Sequence, residues 1–393
     1  MSYRAIYAYP WDVAETGLGE FLEEMRALGL DTVTLAGAYH AGKFLRPHGR
    51  GGKVYFPEDG TVYFRADPQR YGRIKPVLNS TVGERDVFGE LCEAGGMAVN
   101  AWIVLLHNTR LGEAHPEATV RNAFGDRYVY SLCPSAPDAR EYAVSLCRDV
   151  SDNYPVVGLS LETPGFLPFP HGFHHEFALV RQNRWLENML GLCFCDHCVR
   201  GAQAHGIDAT GLKARVAGDI HPYLATALDF PDDMAEAFWL AETRSDGALA
   251  AFLGWRCDVV TSLVREIRSA VRPDAQIAVI PSVARPTAGA WYEGTDLSAL
   301  ADAGVVIEAC FYEPSADRVR CDLWDIKRRL RGRGKLRGIL RPAHPDLTTQ
   351  SEVVAAARAL RDAGVDEVAF YNYGHLRKAS LAWIGDALAI FDD

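Results

Sequence analysis

The sequence has no long uninterrupted hydrophobic run, no internal repeat and no low-complexity tract. Crossing a bilayer takes about 20 consecutive apolar residues, so the sequence predicts no membrane partner. The first residues enter a strand-like segment without a preceding basic and apolar stretch, which is unlike a secretory signal peptide. We therefore expect a cytoplasmic protein.

Positive charge is scarce as well. The 393 residues include 41 Lys and Arg against 51 Asp and Glu, a formal net charge of -10. Nucleic acids and anionic membranes are bound by clustered Lys and Arg, so we expect neither as a partner. A neutral small molecule suits this composition better, and the sequence leaves open whether the chain forms a homo-oligomer.

A Gly-rich phosphate-binding turn is missing too, which argues against a doubly wound nucleotide-binding sheet. Eight short apolar segments instead alternate with helical patterns, and the longer connections follow the segments. This order is typical of a (β/α)8 TIM barrel, here a single domain over residues 1–393 with long loop insertions after strands 2, 3 and 4. The predicted strands lie at residues 6–9, 32–38, 97–106, 156–162, 276–280, 305–311, 336–340 and 367–371.

Glu162 ends the predicted fourth strand, and Thr163-Pro164-Gly165 after it marks the start of a loop. Catalytic groups of such barrels lie at the carboxyl ends of the strands, where the loops converge. Glu162 is therefore the first candidate for catalysis, the alternative being a structural ion-pair partner.

Residues after the other strands are predicted to line the same bowl. They combine aromatic rings with polar groups, a mixture that suits a sugar because C–H faces stack on rings while hydroxyl groups need polar partners. The alternative is that aromatic strand ends merely cap the barrel. The candidate substrate-binding residues of the bowl are Trp11, Asp12, Tyr39, His40, Lys43, Trp102, His107, Asn108, Tyr312, Arg341, His344, Tyr371 and Asn372.

Glycoside cleavage needs a protonated carboxyl for the leaving oxygen and usually a second carboxylate as nucleophile or base. Alternation along strand six predicts that Glu308 points into the barrel, and Glu313 follows the same strand. Both are candidates for the second role, along with Asp12 and Asp346.

Cysteines are clustered in a Cys- and His-rich insertion at about residues 165–200. There are nine in the chain, an odd number, and three of them lie within Cys193-Phe-Cys-Asp-His-Cys198. Three thiolates at this spacing can converge on one tetrahedral ion, and a fourth ligand would make the site structural. Cys133 is the favoured fourth ligand, ahead of His197 and Cys147. The pattern predicts structural zinc in a reducing compartment, the alternative being thiols that simply pack.

The same insertion contains His171-Gly-Phe-His174-His175-Glu176. We expect His171, His174 and His175 to contact substrate. Together with Glu176 they could instead hold a catalytic metal, as in a sugar isomerase or lyase in which Glu162 moves a proton. A sugar-binding barrel without catalysis is the third possibility.

The chain resembles the family 42 glycoside hydrolases, the β-galactosidases, in three features: Cys133 before a helix, Glu162 at strand four and the C-x-C-x-x-C segment. The resemblance implies a barrel whose strand-four Glu162 is the acid/base and whose structural zinc is held by Cys133, Cys193, Cys195 and Cys198. The whole chain looks closer to other glycoside-hydrolase-like barrel proteins, in which segments such as Leu-Cys-Pro-Ser-Ala-Pro-Asp and Phe-Tyr-Asn-Tyr-Gly also occur.

Two positions depart from the family 42 pattern. Leu161 stands where the family has Asn before its acid/base Glu, and Arg341-Pro-Ala-His-Pro-Asp346 stands where its nucleophilic Glu follows strand seven. The sequence therefore predicts a zinc-stabilised barrel that hydrolyses a glycoside or sugar-like molecule, with Glu162 as proton donor and the second carboxylate unassigned.

Overall fold

A computed structural model of the chain describes residues 3–173 and 176–392. Its barrel strands are β1 (Arg4–Ala8), β2 (Thr32–Tyr39), β3 (Ala98–Val104), β4 (Gly158–Glu162), β5 (Gln276–Val279), β6 (Val306–Phe311), β7 (Lys335–Leu340) and β8 (Glu367–Phe370). Each strand pairs in parallel with the next, and β1 also pairs with β8, so the sheet is closed. The (β/α)8 barrel predicted from the sequence is confirmed.

Helices surround the barrel and fill the insertions after β2, β3 and β4, whose places were also predicted correctly. A few short strands and 3₁₀ turns accompany them, among them strands Thr119–Arg121 and Arg127–Leu132 after β3 and the 3₁₀ helix Thr287–Glu293 after β5. The α-helices are Pro10–Thr16, Leu18–Ala27, Ser80–Glu84, Val87–Ala94, Thr109–Ala114, Pro137–Asn153, Arg184–Leu190, Asp196–Ala204, Ala209–Ala225, Asp232–Ser245, Gly247–Ala270, Leu297–Asp302, Ala316–Leu330, Gln350–Asp362 and Lys378–Ala389.

Two local predictions are wrong. The apolar periodicity of residues 13–28 predicts one helix, but Gly17 has φ 91 and separates two. Residues 53–56 and 62–64 look like the two arms of one hairpin. Val54–Tyr55 pairs instead with Phe44–Leu45, and Thr61–Val62 pairs with the end of β2.

Helix Gly247–Ala270 is long and apolar enough, by length and composition alone, to cross a membrane. The sequence of this helix is not an uninterrupted apolar run, because it contains Arg256 and Asp258. Within the structure 50% of its most apolar window is buried, and the helix packs against Pro137–Asn153. A core helix passes the same test, so the finding is weak evidence for a membrane span.

A polar layer crosses the barrel interior below the strand ends. Asn100 Nδ2 donates to Ser160 Oγ at 2.9 Å, and the Ser160 hydroxyl donates to Glu308. Arg337 faces this layer from β7, with Nη1 3.5 Å from Glu308 Oε1 and Nη2 3.0 Å from Glu367 Oε2. Glu308 and Arg337 are 0% and 2% exposed, so their charges are stabilised by each other rather than by water.

Replacing Arg337 with Met should lower the free energy of unfolding by about 3–5 kcal/mol, because Glu308 would keep a buried charge without its counter-ion, whereas Glu367 would keep Lys335. Denaturant unfolding measures the change. Arg320→Met is the control, since Arg320 pairs with Asp317 on the exposed surface, where such a pair contributes about 0.2–1 kcal/mol. A loss no larger than the control's would contradict the role given to Arg337.

Candidate active site

Aromatic rings from five strands meet at the carboxyl end of the barrel. The Tyr9 ring centre lies 5.0 Å from that of Tyr39 and 5.4 Å from that of Trp102. The Tyr371 ring lies 5.8 Å from Trp102 and 5.7 Å from Tyr312. The Tyr9 hydroxyl is 3.1 Å from that of Tyr39 and 3.2 Å from that of Tyr371. These five residues form what we call the aromatic mouth, and four of them were candidates from the sequence.

Glu162 reaches the aromatic mouth from the end of β4. Trp102 Nε1 donates to Glu162 Oε2 at 2.6 Å. The side chain is half-buried, and burial raises the pKa of Glu162 to about 7, against the opposing effect of the Trp102 N–H. A carboxyl with this pKa can hold a proton near neutral pH and still release it. Thr163, the next residue, has φ 52, a conformation that is unfavourable for a β-branched residue and that clusters at functional sites.

A second carboxyl, Glu293, lies in a narrow pocket beside Glu162. Glu162 and Glu293 both line this pocket, together with Ser282 and His171. Ser282 Oγ accepts from Ala284 N at 2.9 Å and donates to Glu293 Oε1 at 2.5 Å. Burial raises the pKa of Glu293 to about 7, and the charge of Glu162 also raises it.

Glu293 could not be predicted from the sequence, because it does not lie at a strand end. It closes the 3₁₀ helix Thr287–Glu293, beyond the end of β5, and no apolar period points to it. The available signal was the pair of aromatic residues Trp291 and Tyr292 directly before it.

Three histidines form a row beside the aromatic mouth. The His40 ring stacks on Tyr39 at 4.3 Å and on His107 at 4.0 Å, and His107 lies 5.5 Å from His171. His107 Nε2 is 3.0 Å from Gly172 O. The row therefore brings the loop after β4 to the mouth, and substrate binding by His40, His107 and His171 stays a prediction.

The rest of the His-rich segment is described in part. His174 and His175 lie outside the described residues, and Glu176 is exposed. Within the described ranges, the Cys cluster is the one group of three or more His, Cys, Asp or Glu side chains placed to share an ion.

Trp11 lines a neighbouring groove, and neither Trp11 nor Asp12 lines the narrow pocket. Trp11 stacks on Tyr9 at 4.3 Å and lines a groove of about 560 Å³ with Arg46 and Tyr55. Asp12 is bonded to Arg46 Nε at 2.9 Å. Burial raises the pKa of Asp12 to about 6, although Arg46 favours its charged form.

The structure does not bring Glu308 or Glu313 into the narrow pocket. Glu308 points into the barrel, as alternation predicted, but lies fully buried in the polar layer. Glu313 is 1% exposed and accepts from Arg318 Nε at 2.7 Å. Both carboxylates are therefore already paired with a cation.

Arg341 and Asp346 are paired at the end of β7. The Arg341 guanidinium lies 4.3 Å from the centre of the Tyr312 ring, so this cation does reach the mouth. Its Nε bonds Asp346, which also accepts from Arg285 Nη1 at 2.6 Å and is 2% exposed. Asp346 thus has two cations as partners.

Four other candidates from the sequence are either bonded within the chain or exposed. Asn108 caps helix Thr109–Ala114 with its side-chain oxygen and donates its amide to a backbone carbonyl at 3.2 Å. Asn372 is fully buried, and its side-chain oxygen accepts from a backbone N–H at 3.0 Å, whereas its Nδ2 has no hydrogen-bond partner among the described residues. Lys43 and His344 are exposed.

The four cysteines predicted to bind metal lie together. Their Sγ atoms are all buried and within 4.8 Å of one another. Cys133 Sγ is 3.4 Å from Cys198, 3.6 Å from Cys195 and 3.9 Å from Cys193. Ligands about 2.3 Å from a tetrahedral ion are about 3.8 Å apart, so this donor set could hold a metal ion.

The Cys cluster joins two insertions. Cys133 precedes helix Pro137–Asn153 after β3, whereas the other three cysteines surround the start of helix Asp196–Ala204 after β4. His197 and Cys147, the alternative fourth ligands, lie outside it. All nine thiols are free of disulfides, as a metal site requires of its ligands.

No protein-family model and no curated protein sequence matches the chain. The α-L-fucosidase isoenzyme 2 of Paenibacillus thiaminolyticus is 14% identical with a TM-score of 0.52, over 99% of this chain, which spans only 49% of that one. The PgaB (BpsB) glycoside hydrolase domain of Bordetella bronchiseptica is 15% identical with a TM-score of 0.56, over 100% of this chain and 98% of its own. The catalytic domain of the Paenibacillus polymyxa β-amylase is 11% identical with a TM-score of 0.58, over 98% of each chain. At such identities the likeness shows the barrel fold alone and does not single out family 42.

Proposed function

We propose that the protein hydrolyses a glycosidic bond in a small sugar-containing substrate, with Glu162 as general acid/base. The observation that carries the proposal is the half-buried carboxyl of Glu162, with a pKa raised to about 7, at the edge of the aromatic mouth. A proton donor of this pKa beside rings that can stack on a sugar is what cleavage of a glycoside requires. The similar barrels named above carry the names of sugar-cleaving enzymes, which supports the same class.

The mouth offers a sugar both of the contacts it needs. The half-buried ring of Tyr371 provides apolar surface for C–H groups, and the tyrosine hydroxyls provide hydrogen-bond partners. Arg341 and the histidine row add donors at the rim. We propose these residues as the substrate-binding set, with Glu162 giving its proton to the leaving oxygen as the glycosidic bond breaks.

We propose further that Cys133, Cys193, Cys195 and Cys198 hold a structural zinc ion. Four thiolates leave no open position on a tetrahedral ion, so the zinc would tie the insertions together and take no part in the reaction. Free thiols suit a reducing compartment, and a cytoplasmic location stays a prediction.

The pH dependence of turnover tests this function. Glu162 must carry its proton to act as the acid, so kcat/KM for a panel of alkyl glycosides, whose leaving groups need that proton, should fall about tenfold per pH unit above its pKa of about 7. Trp102→Phe removes the N–H that favours ionised Glu162, which should raise the pKa of Glu162 and move the alkaline limb to higher pH.

A sugar-binding barrel without catalysis would behave differently. It would turn over no glycoside of the panel while sugars still changed the tryptophan fluorescence. That result would overturn the proposed function.

A further inference from the structure

The narrow pocket is too small for a sugar ring. Its free volume is about 20 Å³, and Glu162, Ser282 and Glu293 are among the residues that line it. One water molecule needs about 10–15 Å³ by the same kind of measure, so the pocket matches a single water. Two carboxyls and a hydroxyl give such a water the polar partners that it needs.

Glu293 is held in place from three sides. Its side chain accepts the Ser282 hydroxyl, and its backbone carbonyl accepts Phe166 N at 2.9 Å from the loop after β4. The fully buried Arg256 lies 4.3 Å from the Phe166 ring centre and 5.0 Å from that of Tyr292, the residue before Glu293. The carboxylate is therefore positioned by packing and not by a mobile loop.

The surroundings of the two carboxyls differ in charge. The ionised form of Glu293 is favoured by the Ser282 hydroxyl and by the cations Arg256 and Arg184. The ionised form of Glu162 is favoured by the neutral Trp102 N–H. Because two negative charges in one pocket repel each other, the pair retains one proton near neutral pH. Each carboxyl has a pKa raised to about 7, so the pair shares that proton, and the cations that act on Glu293 favour the charge there.

We propose, on the basis of the function given above, that Glu293 is the second catalytic carboxylate and acts as general base on a water in the narrow pocket, so that hydrolysis inverts the anomeric carbon. The glycosidic C–O bond breaks, its electron pair stays on the leaving oxygen, and that oxygen takes the proton of Glu162. The water oxygen bonds to the anomeric carbon, and one water proton moves to Glu293. Exchange with solvent returns both carboxyls to their starting state.

The stereochemistry of wild-type hydrolysis tests the proposal without any variant. Proton NMR of the first product, recorded before the sugar anomers equilibrate, should show inversion, since a water rather than a carboxylate attacks. Retention would overturn the proposal, because the attacking group would then be a carboxylate.

Two variants separate this proposal from the function on which it depends. Glu293→Gln should lower kcat about 10²–10⁴-fold for poor and good leaving groups alike, since the water still needs a base. Its amide oxygen can keep the Ser282 hydrogen bond. Glu58→Gln is the matched control, because Glu58 is also bonded to a serine, with Ser80 N 3.1 Å from Oε1, but lies outside the narrow pocket.

The outcomes are distinct. Full activity of Glu293→Gln beside an inactive Glu162→Gln would overturn the role of Glu293 and leave the proposed function intact. Full activity of both variants would overturn both.

Discussion

Glu162→Gln should lower kcat for alkyl glycosides and sugars by about 10³-fold, within the range that general acid catalysis contributes, with little change in KM. Glutamine has the shape of glutamate, and its oxygen can accept the Trp102 N–H that now binds Glu162 at 2.6 Å. The substitution therefore removes the proton and keeps the contact. Steady-state kinetics on one responsive glycoside measures the effect.

Substrates with different leaving groups show whether Glu162→Gln has removed a general acid. A glycosyl fluoride or dinitrophenyl glycoside expels a group that needs no proton, so Glu162→Gln should recover most of its activity with these substrates. A purely structural role for Glu162 would lower activity on all substrates alike, and that result would contradict the assignment.

Glu242→Gln is the matched control for this prediction. Trp185 Nε1 donates to Glu242 Oε1 at 2.9 Å, so the chain contains a second, partly buried Trp–Glu pair, which joins helix Arg184–Leu190 to helix Asp232–Ser245. Burial also raises the pKa of Glu242. If both variants lost activity equally, the effect would come from breaking buried pairs rather than from catalysis.

The fold could be predicted from the sequence because strand ends are local signals. Each barrel strand is a short apolar segment followed by Gly, Pro or polar residues, and that pattern located all eight strands and placed Glu162 at the end of β4. The helix break at Gly17 was missed because apolar periodicity continues across it.

The second carboxylate could not be found in this way, because partners across the barrel are not local. The alternation along β6 correctly predicted that Glu308 points into the barrel. The residue opposite Glu308 on β7 is Arg337, which neutralises its charge. Glu293 lies in a 3₁₀ helix without a periodic pattern, and only the folded chain places it beside Glu162. The Cys cluster was predictable because three of its ligands lie within six residues.

Cys133→Ser should remove one zinc ion per chain and lower the free energy of unfolding by more than about 4 kcal/mol, a size that is typical for the loss of a metal site. Cys133 is the single ligand from the insertion after β3, so its loss separates that insertion from helix Asp196–Ala204. Atomic emission measures the metal and denaturant unfolding measures the stability. Amide hydrogen exchange should speed up first in strand Arg127–Leu132 and helix Asp196–Ala204, because the barrel strands keep the hydrogen bonds to their neighbouring strands.

Two other cysteines provide the controls for the zinc prediction. Cys321 is exposed and Cys147 is buried, and both lie outside the cluster, so Cys321→Ser and Cys147→Ser should keep the full zinc content. Cys147→Ser still costs stability, because it places a hydroxyl in an apolar site, and it therefore reports what burial alone contributes. Zinc that stayed with Cys133→Ser but left with Cys147→Ser would mean that the fourth ligand had been assigned wrongly. A chain that never contained metal, yet lost stability equally in both buried variants, would mean that the four thiols only pack.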